Sequence, residues 1–221
     1  LKPLVVNNRT IEPTEVAGFN QFFDDINGTK SWRYGVGIDW RIREGLTIGG
    51  EATRRELDEP LFRFFDEPPT TDYEERTELL HRLFVYWTPR PRWGVTAEFK
   101  YDKFKADEGV LTEFNNVPEE VKTISVPVSV NYFHPSGFFG GLTGTFVDQD
   151  VDRSPEAFRA SGDDDFFVMD AAVGFRLPKR RGVVSLGVKN LFDEDFNYQD
   201  DSFREFRGES STGPYFPERL I

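Results

Sequence analysis

Two histidines, His81 and His134, are the main candidates for acid–base or metal chemistry in this chain of 221 residues, which contains no cysteine. The absence of cysteine excludes disulfides, thiolate zinc sites and thiol nucleophiles. His81 lies beside Arg82 in a predicted strand, and no Gly-x-Ser-x-Gly elbow is present to supply a serine nucleophile. His134 precedes Pro135 and fits a turn. We therefore predict no catalytic residue, no metal site and no cofactor, and we expect that the chain is not an enzyme.

Carboxylates are the other abundant group. The cluster Asp193, Glu194 and Asp195, followed by Asp200 and Asp201, could hold a hard divalent cation through oxygen atoms. It lacks the glycine-pinned spacing of an EF-hand, so a solvated acidic loop is the simpler interpretation. Overall, 39 acidic residues exceed 27 basic ones and the formal net charge is -12. Such a chain does not attract nucleic-acid phosphate, and we predict no DNA or RNA partner.

The elements that must position these residues are β-strands. Between Trp32 and Ile42 every even position is apolar and the odd positions are charged residues or glycine, which is the two-residue period of a strand. Similar alternation predicts strands in the segments 46–53, 93–102, 123–132, 138–146, 167–176 and 184–189. Two further segments, 79–87 and 14–23, alternate less cleanly. Together these segments make nine predicted strands.

Short and long connections between strands alternate along the chain. The predicted short turns are 43–45, 89–92, 134–137 and 178–182, and the predicted long loops are 55–77, 103–119, 148–165 and 193–217. In an up-and-down meander this order places all tight turns at one end of the sheet and all large loops at the other. Outer-membrane barrels have this one-sided loop geometry.

Aromatic and charged residues follow the same asymmetry. Aromatic rings stand beside the strand ends, and we predict that they form a girdle at the lipid–water boundary: Trp32, Trp40, Trp87, Trp93, Phe133 and Phe138. The short turns are rich in arginine and lysine, whereas the long loops are acidic. Basic turns suit an anionic phospholipid headgroup layer.

The pattern therefore predicts an all-β fold, an antiparallel up-and-down transmembrane β-barrel. The apolar side of each strand would face hydrocarbon. Charges at the alternate positions imply an interior that is wet or filled with protein: Arg33, Asp39, Arg41, Glu51, Glu98, Lys100, Asp170, Arg176 and Lys189. A soluble β-sandwich, with its apolar faces packed together, produces similar alternation and is the alternative fold.

One short segment carries a family resemblance. The stretch Gly187–Phe196 contains Asn190-Leu191-Phe192-Asp193 and resembles the penultimate barrel strand of TonB-dependent receptors. The residues Pro214–Ile221 look like the start of the closing strand of that family. The stretch Ile11–Asp25, with Trp32–Gly35, resembles a subgroup of receptor-like barrels preceded by tetratricopeptide repeats.

This resemblance implies that residues 1–221 are the C-terminal portion of a larger outer-membrane barrel, contributing nine or ten of about 22 strands, with no second domain. Asn190, Leu191, Phe192 and Asp193 would be structural barrel-closure residues. The implied location is the bacterial outer membrane. The implied partners are outer-membrane lipid, the remainder of the barrel, a plug domain, an energy-coupling protein of the inner membrane, and a small-molecule or oligosaccharide cargo.

The resemblance thus implies a nutrient importer, and two other functions stay open. A barrel of similar construction could be a porin, coupled to helical repeat domains, that exports polysaccharide. A soluble β-sandwich could be a carbohydrate-binding module that uses exposed tryptophans as stacking platforms.

Overall fold

The computed structural model describes residues 29–63, 70–107, 118–155 and 161–196. These residues form eight strands and one short 3-10 helix, Pro178–Arg180. The strands are β1 (Lys30–Arg43), β2 (Leu46–Arg63), β3 (Thr70–Arg90), β4 (Trp93–Ala106), β5 (Glu120–Phe133), β6 (Phe138–Asp152), β7 (Gly162–Arg176) and β8 (Val183–Val188).

All eight strands belong to one antiparallel sheet, in which each strand pairs with its neighbours in sequence, from β1 to β8. The prediction of an all-β, up-and-down antiparallel topology is confirmed. Within the described residues β1 and β8 do not pair with each other, so this sheet is not closed. The predicted strand at 14–23 and the predicted start of a closing strand at 214–221 lie outside the described residues.

The four tight turns join β1 to β2, β3 to β4, β5 to β6 and β7 to β8, and they all lie at one end of the sheet, here called the turn end. Gly45 and Gly137 have φ of 75° and 102°, a left-handed conformation that glycine adopts without steric cost. The Thr88 N–H donates to the Gly45 carbonyl oxygen at 2.7 Å, which ties the first turn to β3. The opposite end is the loop end.

The predicted long loops are shorter than expected. The segment predicted as loop from Arg55 to Thr77 is mostly strand, because β2 continues to Arg63 and β3 begins at Thr70. The other two described loops shrink in the same way, at 103–119 and 148–165. Charged residues interrupt the alternation at these strand ends, and buried ion pairs form between β2 and β3. The hydrophobic period therefore vanishes while the backbone ladder continues.

Cross-strand register separates two faces of the sheet. Residues directly opposite each other in an antiparallel pair point to the same side. Register therefore aligns Val85, Ala97, Val128 and Gly144 on one side, the apolar face. The other side, the polar face, carries all nine charges that were predicted to point inward. Its loop-end half is buried, and Leu57, Phe104, Val121, Gln149 and Val151 are among its most buried side chains.

Candidate functional site

The apolar face is the most extensive candidate surface of the described sheet. On β1, Trp32, Val36 and Ile38 are 76%, 74% and 72% exposed. Large apolar side chains are exposed on β3 to β8 as well: Leu83, Trp87, Trp93, Phe99, Val128, Leu142, Phe146, Phe167, Val173 and Leu186. The described residues contain only one sheet, so no second sheet packs on this face. Contiguous exposed apolar surface of this kind marks an interaction site.

The apolar residues of this face form a band of constant height. On each of β3 to β7 the run is nine residues long: 79–87, 93–101, 124–132, 138–146 and 167–175. His81 is the only imidazole in these runs, and no charged or amide side chain faces this side within them. At the loop end, the next residue on the same face is polar on every strand: Thr77, Lys103, Lys122, Asp148 and Asp165. We call these five runs the apolar band.

The boundary of the apolar band also shifts in a regular way from strand to strand. From β3 to β4 its boundary moves two residues toward the turn end, since Leu79 lies opposite Lys103. It moves two more from β5 to β6, where Ile124 lies opposite Asp148. It does not move between β4 and β5 or between β6 and β7. One residue of displacement per strand, about 3.3 Å against a strand spacing of about 4.8 Å, corresponds to strands inclined by about 35° to the band.

Aromatic rings mark the turn-end boundary of the band. Trp87, Trp93 and Phe138 lie there on the apolar face, with Trp40 on β1. Tyr132 packs against Trp93 with ring centroids 4.8 Å apart. Tyr132 is not among the predicted girdle residues, although its even position within 124–132 places it on the apolar side.

Two girdle residues lie elsewhere. Phe133 lies one residue beyond Tyr132, so it occupies the polar face opposite Phe139, with ring centroids 6.5 Å apart. Trp32 lies at the loop-end limit of the apolar run on β1, opposite Glu56. The structure therefore groups four of the six predicted girdle residues at one boundary.

Charged side chains line the loop-end margin of the apolar face. Lys103 and Lys122 lie directly opposite each other, and Glu120 pairs with both, at 2.6 Å from Lys103. Burial raises the pKa of Glu120, but hydrogen bonds from the two lysines outweigh this effect and lower the pKa below its usual value. The same hydrogen bond raises the pKa of Lys122. This margin therefore carries half-buried ion pairs.

The polar face carries a charged network at mid-strand. The guanidinium of Arg82 on β3 donates to both carboxylate oxygens of Glu98 on β4, at 3.1 and 2.8 Å. It also donates to Glu51 on β2 at 3.3 Å and to the Tyr86 hydroxyl at 2.6 Å. Lys100 lies 3.3 Å from Glu98. The network satisfies two acids with two bases across three strands.

Two buried ion pairs follow toward the loop end of the polar face. Arg76 contacts Glu59 at 2.7 Å, and Arg55 contacts Glu78 at 3.3 Å. All four side chains are at most 7% exposed. Burial of charge is tolerated only with such pairing, so these two pairs fit an interior surface.

The turn-end half of the polar face is more open. A cavity of about 710 Å³ lies there, and Arg41, Thr47, Tyr86, Thr96 and Asn131 are among its lining residues. Hydroxyl, amide and guanidinium groups thus line this space together with the apolar residues Trp87, Val95 and Phe133.

Asn190 forms a local hydrogen-bonded turn after β8. Its side-chain oxygen accepts from the Glu194 N–H at 2.8 Å, and its side-chain nitrogen donates to the Glu194 carbonyl oxygen at 2.9 Å. Its backbone N–H donates to Asp170 at 3.0 Å. Its φ of 50° is left-handed, a conformation that asparagine tolerates well.

The turn returns the chain to the sheet. The Leu191 N–H donates to the Met169 carbonyl oxygen, one residue out of step with the pairing of Val188 to Ala171. Phe196 stacks on Phe166 with ring centroids 4.0 Å apart. Phe192, by contrast, is 63% exposed. Asn190 and Asp193 therefore shape the backbone, while Phe192 faces outward.

The histidines are not brought together. His81 lies on the apolar face and stacks on Tyr101 at 5.9 Å, so it is not a residue of the polar face. His134 bonds Ser136 within its own turn, at 2.7 Å between the side chains. Among the described residues no group of three or more histidine, aspartate or glutamate side chains could hold a metal ion. Asp200 and Asp201 lie outside the described residues.

Comparison of the chain with family models, with curated proteins and with solved structures gave no match in any of the three. In the part of the chain that the structure describes, no helix is long and apolar enough to cross a membrane.

Proposed function

We propose that this chain forms part of the wall of a β-barrel in the bacterial outer membrane, with the apolar face toward lipid. The observation that carries the proposal is the apolar band. A tilted strand needs about 9–11 residues to cross hydrocarbon, and five consecutive strands offer runs of nine. The stagger of the band corresponds to an inclination of about 35°, which lies in the range of membrane barrels.

The boundaries of the band support the same proposal. Aromatic rings at the turn end and charged side chains at the loop end match the two interfaces of a membrane-spanning band. A β-sandwich has no reason to end its apolar face at a constant height. It would also cover that face with a second sheet, and the described residues supply none.

The polar face suits the lumen of such a barrel. The Arg82 network and the two buried ion pairs satisfy charges that could not face lipid. The open edges of β1 and β8 cannot face lipid either, because their backbone groups would lack hydrogen-bond partners there. In the proposed barrel, further strands cover both edges.

The barrel is proposed to belong to a TonB-dependent receptor-like importer of a scarce nutrient. The resemblance of residues 187–196 to that family supports this assignment. The energy for uptake would come from an inner-membrane coupling protein.

Cell fractionation tests the membrane assignment. The intact protein is expected in the outer-membrane fraction and is expected to resist extraction with alkaline carbonate. Recovery in the soluble fraction without detergent would contradict the barrel and favour a sandwich.

Gene deletion tests the direction of transport. We expect loss of growth on a limiting nutrient, reproduced by deletion of the energy-coupling protein. Loss of cell-surface polysaccharide with unchanged nutrient uptake would instead indicate an exporting porin.

A further inference from the structure

The turn end of the sheet carries cations that the ion-pair networks do not use. Arg43 ends β1 at the first turn, Arg90 and Arg92 lie on either side of Pro91 at the second, and Lys179 and Arg181 lie in the fourth. All five are exposed, and none has an ion-pair partner among the residues that the structure describes. We call them the basic rim.

The loop-end margin behaves differently. Arg54, Lys103 and Lys122 each pair with a carboxylate on the same face. On β6 and β7 that margin is acidic, with Asp148 opposite Asp165 and Asp150 opposite Asp163. The two margins of the apolar band therefore differ in net charge as well as in pairing.

The position of the basic rim defines the depth at which its charges act. Arg43 follows Trp40 by three residues, Arg90 follows Trp87 by three residues, and Arg92 immediately precedes Trp93. In the proposed membrane orientation, the rings lie at the boundary of the hydrocarbon. The cations then lie one step further out, at the level of lipid phosphate groups.

We propose that the basic rim binds the anionic headgroups of phospholipids in the leaflet at the turn end. Arginine binds phosphate with two parallel hydrogen bonds and is more weakly hydrated than lysine, so it suits this role. Attraction of a cation to an anionic membrane surface amounts to about 1 kcal/mol per residue, or about fivefold in affinity. The inference rests on the proposed function, since it presupposes that the apolar band lies in a bilayer.

Selective quenching tests the proposal. The chain has no cysteine, so Val95→Cys can carry a single fluorophore in the band, two residues from Trp93. The intact protein is reconstituted into vesicles of phosphatidylcholine and phosphatidylglycerol, with bromine on the acyl chains of one lipid or the other. We expect brominated phosphatidylglycerol to quench several-fold more strongly than its share of the vesicle lipid predicts.

The variant Arg43→Gln/Arg90→Gln/Arg92→Gln is expected to lose most of this preference for phosphatidylglycerol. High salt is expected to reduce the preference of the protein with the unchanged rim, because salt screens exposed charges. The matched control, Arg54→Gln/Lys103→Gln/Lys105→Gln, removes three cations from the loop-end margin and is expected to keep the preference. Equal quenching by both lipids in the inserted protein, or a preference that survives the rim variant, would overturn the proposal.

The two proposals fail in distinguishable ways. If neither brominated lipid quenches the fluorophore, the band is not in the bilayer and the proposed function fails. If both quench equally, the band is inserted and only the assignment of the basic rim fails.

Discussion

Asn190 combines an unusual backbone conformation with a satisfied side chain. It is 4% exposed, and the oxygen and the nitrogen of its side-chain amide both form hydrogen bonds with the backbone of Glu194. A left-handed conformation costs most residues about 1–2 kcal/mol, and an unsatisfied buried donor costs about 1–3 kcal/mol. Asparagine avoids both costs at this position. The sequence motif therefore has a physical role in shaping the turn after β8, whatever the family.

Substitution of Asn190 should separate these two effects. Asn190→Ala is expected to lower the free energy of unfolding by about 2–4 kcal/mol, because it loses the amide bonds and is strained at positive φ. Asn190→Gly can adopt positive φ without strain. Its free energy of unfolding should therefore fall by about 1 kcal/mol less than that of Asn190→Ala. Urea unfolding of the membrane-reconstituted protein measures both values. Equal stability of all three proteins would show that the turn does not depend on Asn190.

Glu120 forms ion pairs with two lysines that face each other across β4 and β5. Its pKa is lowered by their hydrogen bonds, so its contribution is complete above the ordinary glutamate pKa of about 4.3 and is lost as the pH falls through the lower folded value. Glu120→Gln should destabilise the protein at pH 7 by up to about 1 kcal/mol, as expected of an exposed pair.

The difference between wild type and Glu120→Gln should then shrink toward zero on acidification below pH about 4. Parallel unfolding measurements at several pH values test this dependence. A difference that stays constant with pH would mean that the charge of Glu120 is not what stabilises this margin. Lys105→Gln, a nearby exposed cation, serves as the control for general loss of charge.

Each strand of the sheet has one apolar side and one polar side, and the consequences of substitution should follow this alternation. Val128 and Ser129 are neighbours near the middle of β5, on the apolar and polar faces respectively. Arginine at the centre of a lipid-facing strand costs about 2–4 kcal/mol, whereas lumen positions accept charge.

We therefore expect Val128→Arg to reduce the free energy of unfolding by about 2–4 kcal/mol. Ser129→Arg, its matched control one residue away, should change it much less. Unfolding in vesicles measures both. Similar losses for the two variants, or a larger loss for Ser129→Arg, would be inconsistent with a lipid-facing apolar side.

The period of two was a reliable guide to the strands, and it failed where ion pairs replaced apolar contacts. It predicted β1, β4, β5 and β7 well, since one side of each is apolar over most of its length. It missed the outer halves of β2 and β3, where Arg55, Glu59, Arg76 and Glu78 pair across the strands on the polar face. No single-strand pattern signals such pairing, because it depends on the register between strands.

The segment 79–87 illustrates a second limit. Leu80 and Phe84 place apolar groups on the polar face, where Leu80 is buried and the Phe84 ring covers Gly49. The alternation is therefore weak, although β3 is the longest strand, with 21 residues. Its identity as a strand follows from its neighbours on both sides.

In the proposed barrel, the height of the apolar band sets a preferred bilayer thickness. Nine residues span about 26 Å along a strand, and at an inclination of about 35° this corresponds to about 22 Å across the membrane. A band of this height suits a thin bilayer. In a thicker bilayer, the charged residues beyond the apolar band would lie in hydrocarbon.

Insertion should therefore be fastest into vesicles of short-chain lipid and should slow as the acyl chains lengthen. A variant with Lys103→Leu, Lys122→Leu, Asp148→Leu and Asp165→Leu extends the band on four strands. The bilayer thickness at which this variant inserts fastest should be larger. Folding kinetics by tryptophan fluorescence provide the measurement, and an optimum that is unaffected by the extension would contradict the assigned band.

Spin-label accessibility along β5 tests the lipid-facing assignment most directly. Single cysteines from Glu120 to Phe133 in the intact, membrane-reconstituted protein each carry one label, and contact with oxygen and with a water-soluble nickel complex is measured. Between 124 and 132 the even positions are expected to contact oxygen in lipid and the odd positions to be shielded from it, while labels at 120 and 122 contact the aqueous reagent. Absence of alternation, or even positions shielded from both reagents as in a packed core, would contradict the barrel.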